Sequence, residues 1–106
     1  MKFIVTYIWD AGIAAEISKL DDKIAASPPP GYKELAHYIC MGKPFSGVPE
    51  GKAVSFQLVE ADSAESMAAV CYPMMHLGAD VSAVPVIEAP IGNITELEKQ
   101  AKSYIS

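Results

Sequence analysis

The sequence predicts an α+β domain of ferredoxin-like order, β-α-β-β-α-β, with an added C-terminal helix. Three observations carry this expectation. Four apolar, β-branched or aromatic runs are too short for typical helices, and two segments with helical spacing lie between them. A proline-rich break, Ser27-Pro28-Pro29-Pro30-Gly31, separates the first helix from the second strand. One layer of helices covers one face of a four-stranded antiparallel sheet, so the other face is left for a partner or a ligand.

The first strand is Lys2 to Trp9, because Phe3-Ile4-Val5-Thr6-Tyr7-Ile8-Trp9 is β-branched and aromatic and ends at Asp10 and Gly12. Asp10 can cap a helix from about Ala11 to Ala26, in which Ile13, Ile17, Leu20 and Ile24 recur at helical spacing. The three prolines that follow form a rigid connector. Tyr32 to Met41 is the second strand. A long loop from Gly42 to Gly51 leads to the third strand, Ala53 to Glu60, and is longer than an ordinary hairpin turn. Phe45 is expected to tuck back onto the body from this loop.

Asp62-Ser63-Ala64-Glu65 signals the start of the second helix, which carries Met67, Val70, Cys71, Met74 and Met75. Pro73 predicts a kink or break near Cys71-Tyr72, and Gly78 a stop. Val81 to Glu88 is the fourth strand. Pro85 lies within it, and proline is tolerated on edge strands, which agrees with the fourth strand being an edge in the order 4-1-3-2. Pro90-Ile91-Gly92-Asn93 then introduces a last helix from Ile94 to about Tyr104.

A chain of 106 residues forms one domain, residues 1–106. Hydrophobic residues make up 51% against 20% charged, which excludes disorder and leaves apolar surface for association. Net charge is −5 with eight scattered Lys and Arg, so neither nucleic acid nor an anionic membrane is an expected partner. No apolar stretch reaches the roughly 18 to 20 residues of a membrane span, and the expected location is cytoplasmic. Cys40 and Cys71 are too few for a disulfide framework and are expected to be reduced.

Alternation divides each strand into two sets. One parity gives an apolar surface of Phe3, Val5, Tyr7, Ala36, Tyr38, Cys40, Val54, Phe56, Leu58, Val81, Ala83 and Ile87, expected beneath the helices. The opposite set is mixed and includes Thr6, His37, Ser55, Gln57, Val59 and Ser82. Polar groups set in an apolar surface suit a ligand pocket.

Four segments carry a resemblance to a known family: Met1-Lys2-Phe3-Ile4-Val5-Thr6, Pro28-Pro29-Pro30-Gly31, Phe56-Gln57-Leu58-Val59-Glu60-Ala61-Asp62 and Pro85-Val86-Ile87. Over about residues 1 to 89 the chain resembles a small uncharacterised family of the dimeric α/β-barrel superfamily. The resemblance implies a homodimer whose sheets pack face to face into a barrel, and it implies no particular activity. Relatives in the wider superfamily include monooxygenases, haem-degrading proteins, and dechlorinating and dehydrating enzymes. Where the nearest relatives tend to show Trp-His in the second strand, this chain has Tyr38-Ile39.

Two constellations suggest metals and fail on geometry. In His37-x-x-Cys40 the two residues point to opposite faces of a strand, and Cys71 and His76 are about 140° apart around a helix. Met67, Cys71, Met74 and Met75 share a helical face and make an adaptable core stripe. No metal and no cofactor is expected. His37 is the candidate for acid/base work, with Glu88 as a partner if a dimer joins them. No Ser-His-Asp order, phosphate loop or Gly-x-Gly-x-x-Gly occurs.

The expected function is that of a homodimer binding a small, largely apolar molecule between the sheets, with Thr6, His37, Ser55, Gln57 and Ser82 lining the site. The alternatives are a cofactor-independent monooxygenase or isomerase using His37, and a purely structural or partner-binding dimer.

Overall fold

Every strand and helix expected from the sequence forms, in the expected order, in the computed structural model, which describes residues 1–105. The strands are β1 (Lys2–Asp10), β2 (Tyr32–Ile39), β3 (Lys52–Ala61) and β4 (Asp80–Val86). The helices are α1 (Ala14–Ala26), α2 (Ala64–His76) and α3 (Ile94–Ser103). All strand pairs are antiparallel in the order β2-β3-β1-β4, so the ferredoxin-like arrangement holds and Pro85 sits on an edge strand. No helix among the described residues is long and apolar enough to cross a membrane.

Local chemistry sets the element ends. Asp10 accepts a hydrogen bond from the Gly12 amide at 2.8 Å, and the first turn, Ala11–Ile13, is a 3₁₀ turn, so α1 proper begins three residues after the expected start. Ser63 caps α2 by accepting from the Ser66 amide at 3.1 Å, and Ser66 Oγ donates to the Pro30 carbonyl at 2.8 Å. The proline connector is thereby tied to the helix start. Gly31 turns there with φ 75°, and a Cβ at this position would lie 2.9 Å from Asp62 Oδ2. Gly31→Ala should therefore cost about 1–3 kcal/mol in a urea titration. Gly42→Ala, which meets open space at an ordinary φ, should change stability by less than about 0.5 kcal/mol.

Of the kink or break expected near Cys71-Tyr72, the break does not occur. α2 runs unbroken to His76, because Pro73 lies in its last turns and the carbonyl it leaves without a helical donor belongs to Ala69, an exposed residue that water can serve. The helix ends instead at Gly78, φ 105°, where the Ala79 amide donates to the Met74 carbonyl at 3.1 Å and the Gly78 amide to the Met75 carbonyl at 2.9 Å.

The core lies between the helices and one sheet face, built on Val5, Tyr7, Trp9, Ile17, Tyr32, Val59, Ala61, Met67, Val70, Met74 and Ala79. Here the expected faces need correction. Register places Val5 beside Gln57 and Ala83, and Tyr7 beside Ser55 and Val81. Residues directly opposite share a face. Hence Phe3, Val5, Tyr7, Val81 and Ala83 face the helices as expected, but so do Ser55, Gln57 and Val59. Ala36, Tyr38, Cys40, Val54, Phe56 and Leu58 face the open side. Ile87 lies beyond the end of β4. In β2 an irregularity at Leu35, between Glu34 and Ala36, re-phases the strand, so that Tyr32 and His37 both end on the helix face.

The loop after β2 also differs from expectation. Val48, not Phe45, is its buried residue, at 2% exposure against 45%. Val54 on the open face is buried as well, and Lys43 and Glu50 close the loop through a 2.8 Å ion pair. None of α3 is buried, and Ile94, Tyr104 and Ile105 stand exposed around it.

Candidate functional site

A cleft of about 270 Å³ opens between α1 and the half of the sheet formed by β1, β3 and β2. Its floor is Tyr7, Trp9, Ser55 and Gln57, its helical wall Ile17, Ser18, Asp21 and Asp22, and its outer rim His37 and Ile39, with Met74 from α2 behind. Tyr7 and Trp9 share the cleft because residues two apart on a strand point the same way.

The polar groups form one chain. The Tyr32 hydroxyl donates to Gln57 Oε1 at 3.4 Å, and Gln57 Nε2 donates to Asp21 Oδ1 at 3.2 Å. The other carboxylate oxygen of Asp21 lies 3.6 Å from His37 Nδ1, and Glu34 Oε1 lies 3.3 Å from the same nitrogen. This chain explains how Gln57, 3% exposed, sits on the helix face: both ends of its amide have partners. Burial foremost, with Asp21 nearby, pushes the Glu34 carboxyl above its ordinary range, and His37 pulls it back. Burial likewise raises the Tyr7 and Tyr32 phenols well above theirs, so both remain neutral donors.

Two donors lack acceptors. The Tyr7 hydroxyl and the Trp9 indole Nε1 are buried without any hydrogen-bond partner among the described residues. Leaving such a group unpaired costs about 1–3 kcal/mol, and native structures retain few of them. Tyr7→Phe removes one, so in the ligand-free protein it should leave stability unchanged or raise it by about 1 kcal/mol in chemical denaturation. A loss of that size would show that the hydroxyl has a partner.

The five residues expected to line a single site are divided between two faces. His37, Ser55 and Gln57 come together in the cleft beneath α1. Thr6 and Ser82 pair with each other across β1 and β4 on the open face. Glu88, considered as a partner for His37, lies 3.9 Å from Lys2. Asp21, Tyr7 and Trp9 were not singled out from the sequence. Asp21 carries a readable signal, since it lies four residues after Ile17 and three before Ile24, on the apolar stripe of α1.

Elsewhere, Ile4, Tyr38, Phe56 and Leu58 line an apolar groove on the open face. Cys40 and Cys71 are free, and burial pushes the Cys71 thiol up. Among the described residues no group of three His, Cys, Asp or Glu side chains could hold a metal ion. No protein-family model matches the chain, and no curated protein matches it in sequence.

Proposed function

We propose that the protein is a homodimer that binds a small molecule in the cleft beneath α1, with the open sheet faces of two copies packed together. The observation that carries the binding site is the pair of unpartnered donors, Tyr7 hydroxyl and Trp9 Nε1, on two residues that line a cleft already holding Asp21, His37 and Gln57. A ligand with a hydrogen-bond acceptor supplies what these donors lack, and Ile17, Ile39 and Met74 suit an apolar body. The site thus moves from between the sheets, where the sequence put it, to between sheet and helix.

The dimer is supported by the open face itself. Ile4, Tyr38 and Val84 are exposed on it beside Phe56 and Leu58, and nothing among the described residues covers them. Isologous packing of this face is the arrangement implied by the resemblance to dimeric α/β barrels. Free cysteines suit a reducing compartment, and we assign the protein to the cytoplasm on that ground.

A crystal structure of protein purified without added ligand tests the site. Ordered density, from water or an organic molecule, is expected within about 2.7–3.2 Å of Trp9 Nε1 and the Tyr7 hydroxyl. A cleft closed by side chains, with both donors bonded to protein acceptors, would refute the proposal.

A further inference from the structure

We infer that residues 87–105 form an arm by which each protomer holds a second copy of this chain, with the apolar stripe of α3 laid on the partner; this rests on the homodimer proposed above. The first observation is size. A compact monomer of 11.3 kDa exposes about 5,700 Å², whereas this chain exposes 7267 Å². Its Cα radius of gyration is 16.3 Å, against about 13 Å for a compact chain of this length. The excess area, roughly 1,500 Å², is surface held away from the chain's own core.

The arm accounts for part of it. No residue of α3 is buried, and the helix makes at most marginal contact with the strands and the other helices. Ile87, Ile91, Ile94, Tyr104 and Ile105 are all more than half exposed. Around the axis of α3, Ile94, Leu97, Ala101 and Tyr104 fall within about 80°, while Glu96, Lys99 and Ser103 take the opposite side. That stripe is the pattern of a helix that packs. A helix of 10 residues is marginal in water without packing, and the exposed 2.8 Å ion pair between Lys102 and Glu98 adds little. The elbow before it is a defined turn. The Asn93 amide donates to the Pro90 carbonyl at 3.0 Å, and Gly92 takes a φ of 81° within that turn.

Two arguments name a second copy as what the stripe packs on. β4 runs directly into the arm, and Val84, opposite Ile4, lies on the open face, so exposed apolar residues continue from the sheet into Ile87 and Ile91. The second argument is area. Four strands about 4.8 Å apart and about 25 Å long give a face of roughly 500 Å², below the roughly 800 Å² per partner that a stable dimer buries. The arm supplies the remainder. The linker between Val86 and Ile94 spans at most about 25 Å, and two packed sheets are about 10 Å apart. Even with its turn, it can carry α3 across to the partner.

Isotope-filtered NOE spectra of a dimer mixed from ¹³C-labelled and unlabelled full-length chains test the arm, together with dimer dissociation constants from analytical ultracentrifugation. Intermolecular contacts are expected from the Ile94 and Leu97 methyls. The double variant Ile94→Gln with Leu97→Gln should weaken dimerisation by about 100-fold or more, because each substitution acts in both copies. Lys99→Gln, on the opposite side of the helix, should leave it unchanged. None of these residues belongs to the core, so the variants should fold as wild type does by circular dichroism. Contacts from α3 to its own chain alone, a double variant that dimerises as tightly as wild type, or equal weakening by Lys99→Gln overturns the arm; intermolecular contacts from Ile4 and Phe56 would then leave the face-to-face dimer standing. Contacts from α3 to the partner with none from Ile4 and Phe56 uphold the arm and overturn the sheet packing. A wild-type chain that stays monomeric at millimolar concentration overturns both readings.

Discussion

Phe56→Lys should turn the proposed homodimer into a folded monomer. Light scattering is expected to fall from a mass near twice 11.3 kDa to near 11.3 kDa at micromolar concentration. Phe56 projects from β3 to the open face, where it lines the apolar groove with Ile4, Tyr38 and Leu58. In an isologous dimer a single substitution acts twice, placing two ammonium groups in one desolvated interface. Removing the aromatic anchor costs about 2 kcal/mol or more, and the unpaired charges add to it, so dimer affinity should drop by about 100-fold or more. The fold should survive, because Phe56 does not belong to the helix-side core. A wild-type chain that is already monomeric, or a variant that remains dimeric, contradicts face-to-face packing.

Met74→Ala should destabilise the chain by about 2–4 kcal/mol in chemical denaturation. Met74 is 2% exposed and belongs to the core, so truncation leaves space that its neighbours fill only in part. The same side chain lines the cleft, which couples stability to the shape of the proposed site. Larger apolar fragments should therefore bind the variant better than the wild type, and recover part of the lost stability by mass action. A loss below about 1 kcal/mol would mean that the cleft wall collapses onto the gap, and the gain in fragment binding should then disappear as well.

The fold was legible in the sequence because each element carries a local signature. β1 is an uninterrupted β-branched and aromatic run, α1 has Ile13, Ile17, Leu20 and Ile24 on one stripe, and Pro85 agrees with the edge that β4 occupies. The faces of β2 and β3 were not legible. In β3 the apolar set Val54, Phe56 and Leu58 outcompetes Ser55 and Gln57 for the helix side on alternation alone. Pairing with β1 reverses that choice. Gln57 tolerates burial because its partners, Tyr32 and Asp21, are 25 and 36 residues away in sequence, and no local pattern reports them. The irregularity at Leu35 adds a shift of phase within β2 that apolar spacing does not reveal.

The site followed the same division. His37 was found because its chemistry is evident from its type, while its surroundings depended on a face assignment that was reversed. Tyr7 and Trp9 look like ordinary core residues in sequence. Their unpartnered polar atoms are visible only once neighbouring elements are in place.

The cleft can be tested through Trp9, the one tryptophan in the chain, whose indole gives a single side-chain resonance in a ¹⁵N-correlated NMR spectrum. Neutral aromatic fragments bearing a carbonyl or phenol oxygen are expected to shift that resonance downfield, as an acceptor reaches Nε1, together with the amides of Asp21, His37 and Gln57. Fragments that instead move Ile4, Phe56 and Leu58 and leave the indole unchanged would place binding on the open face and contradict the account.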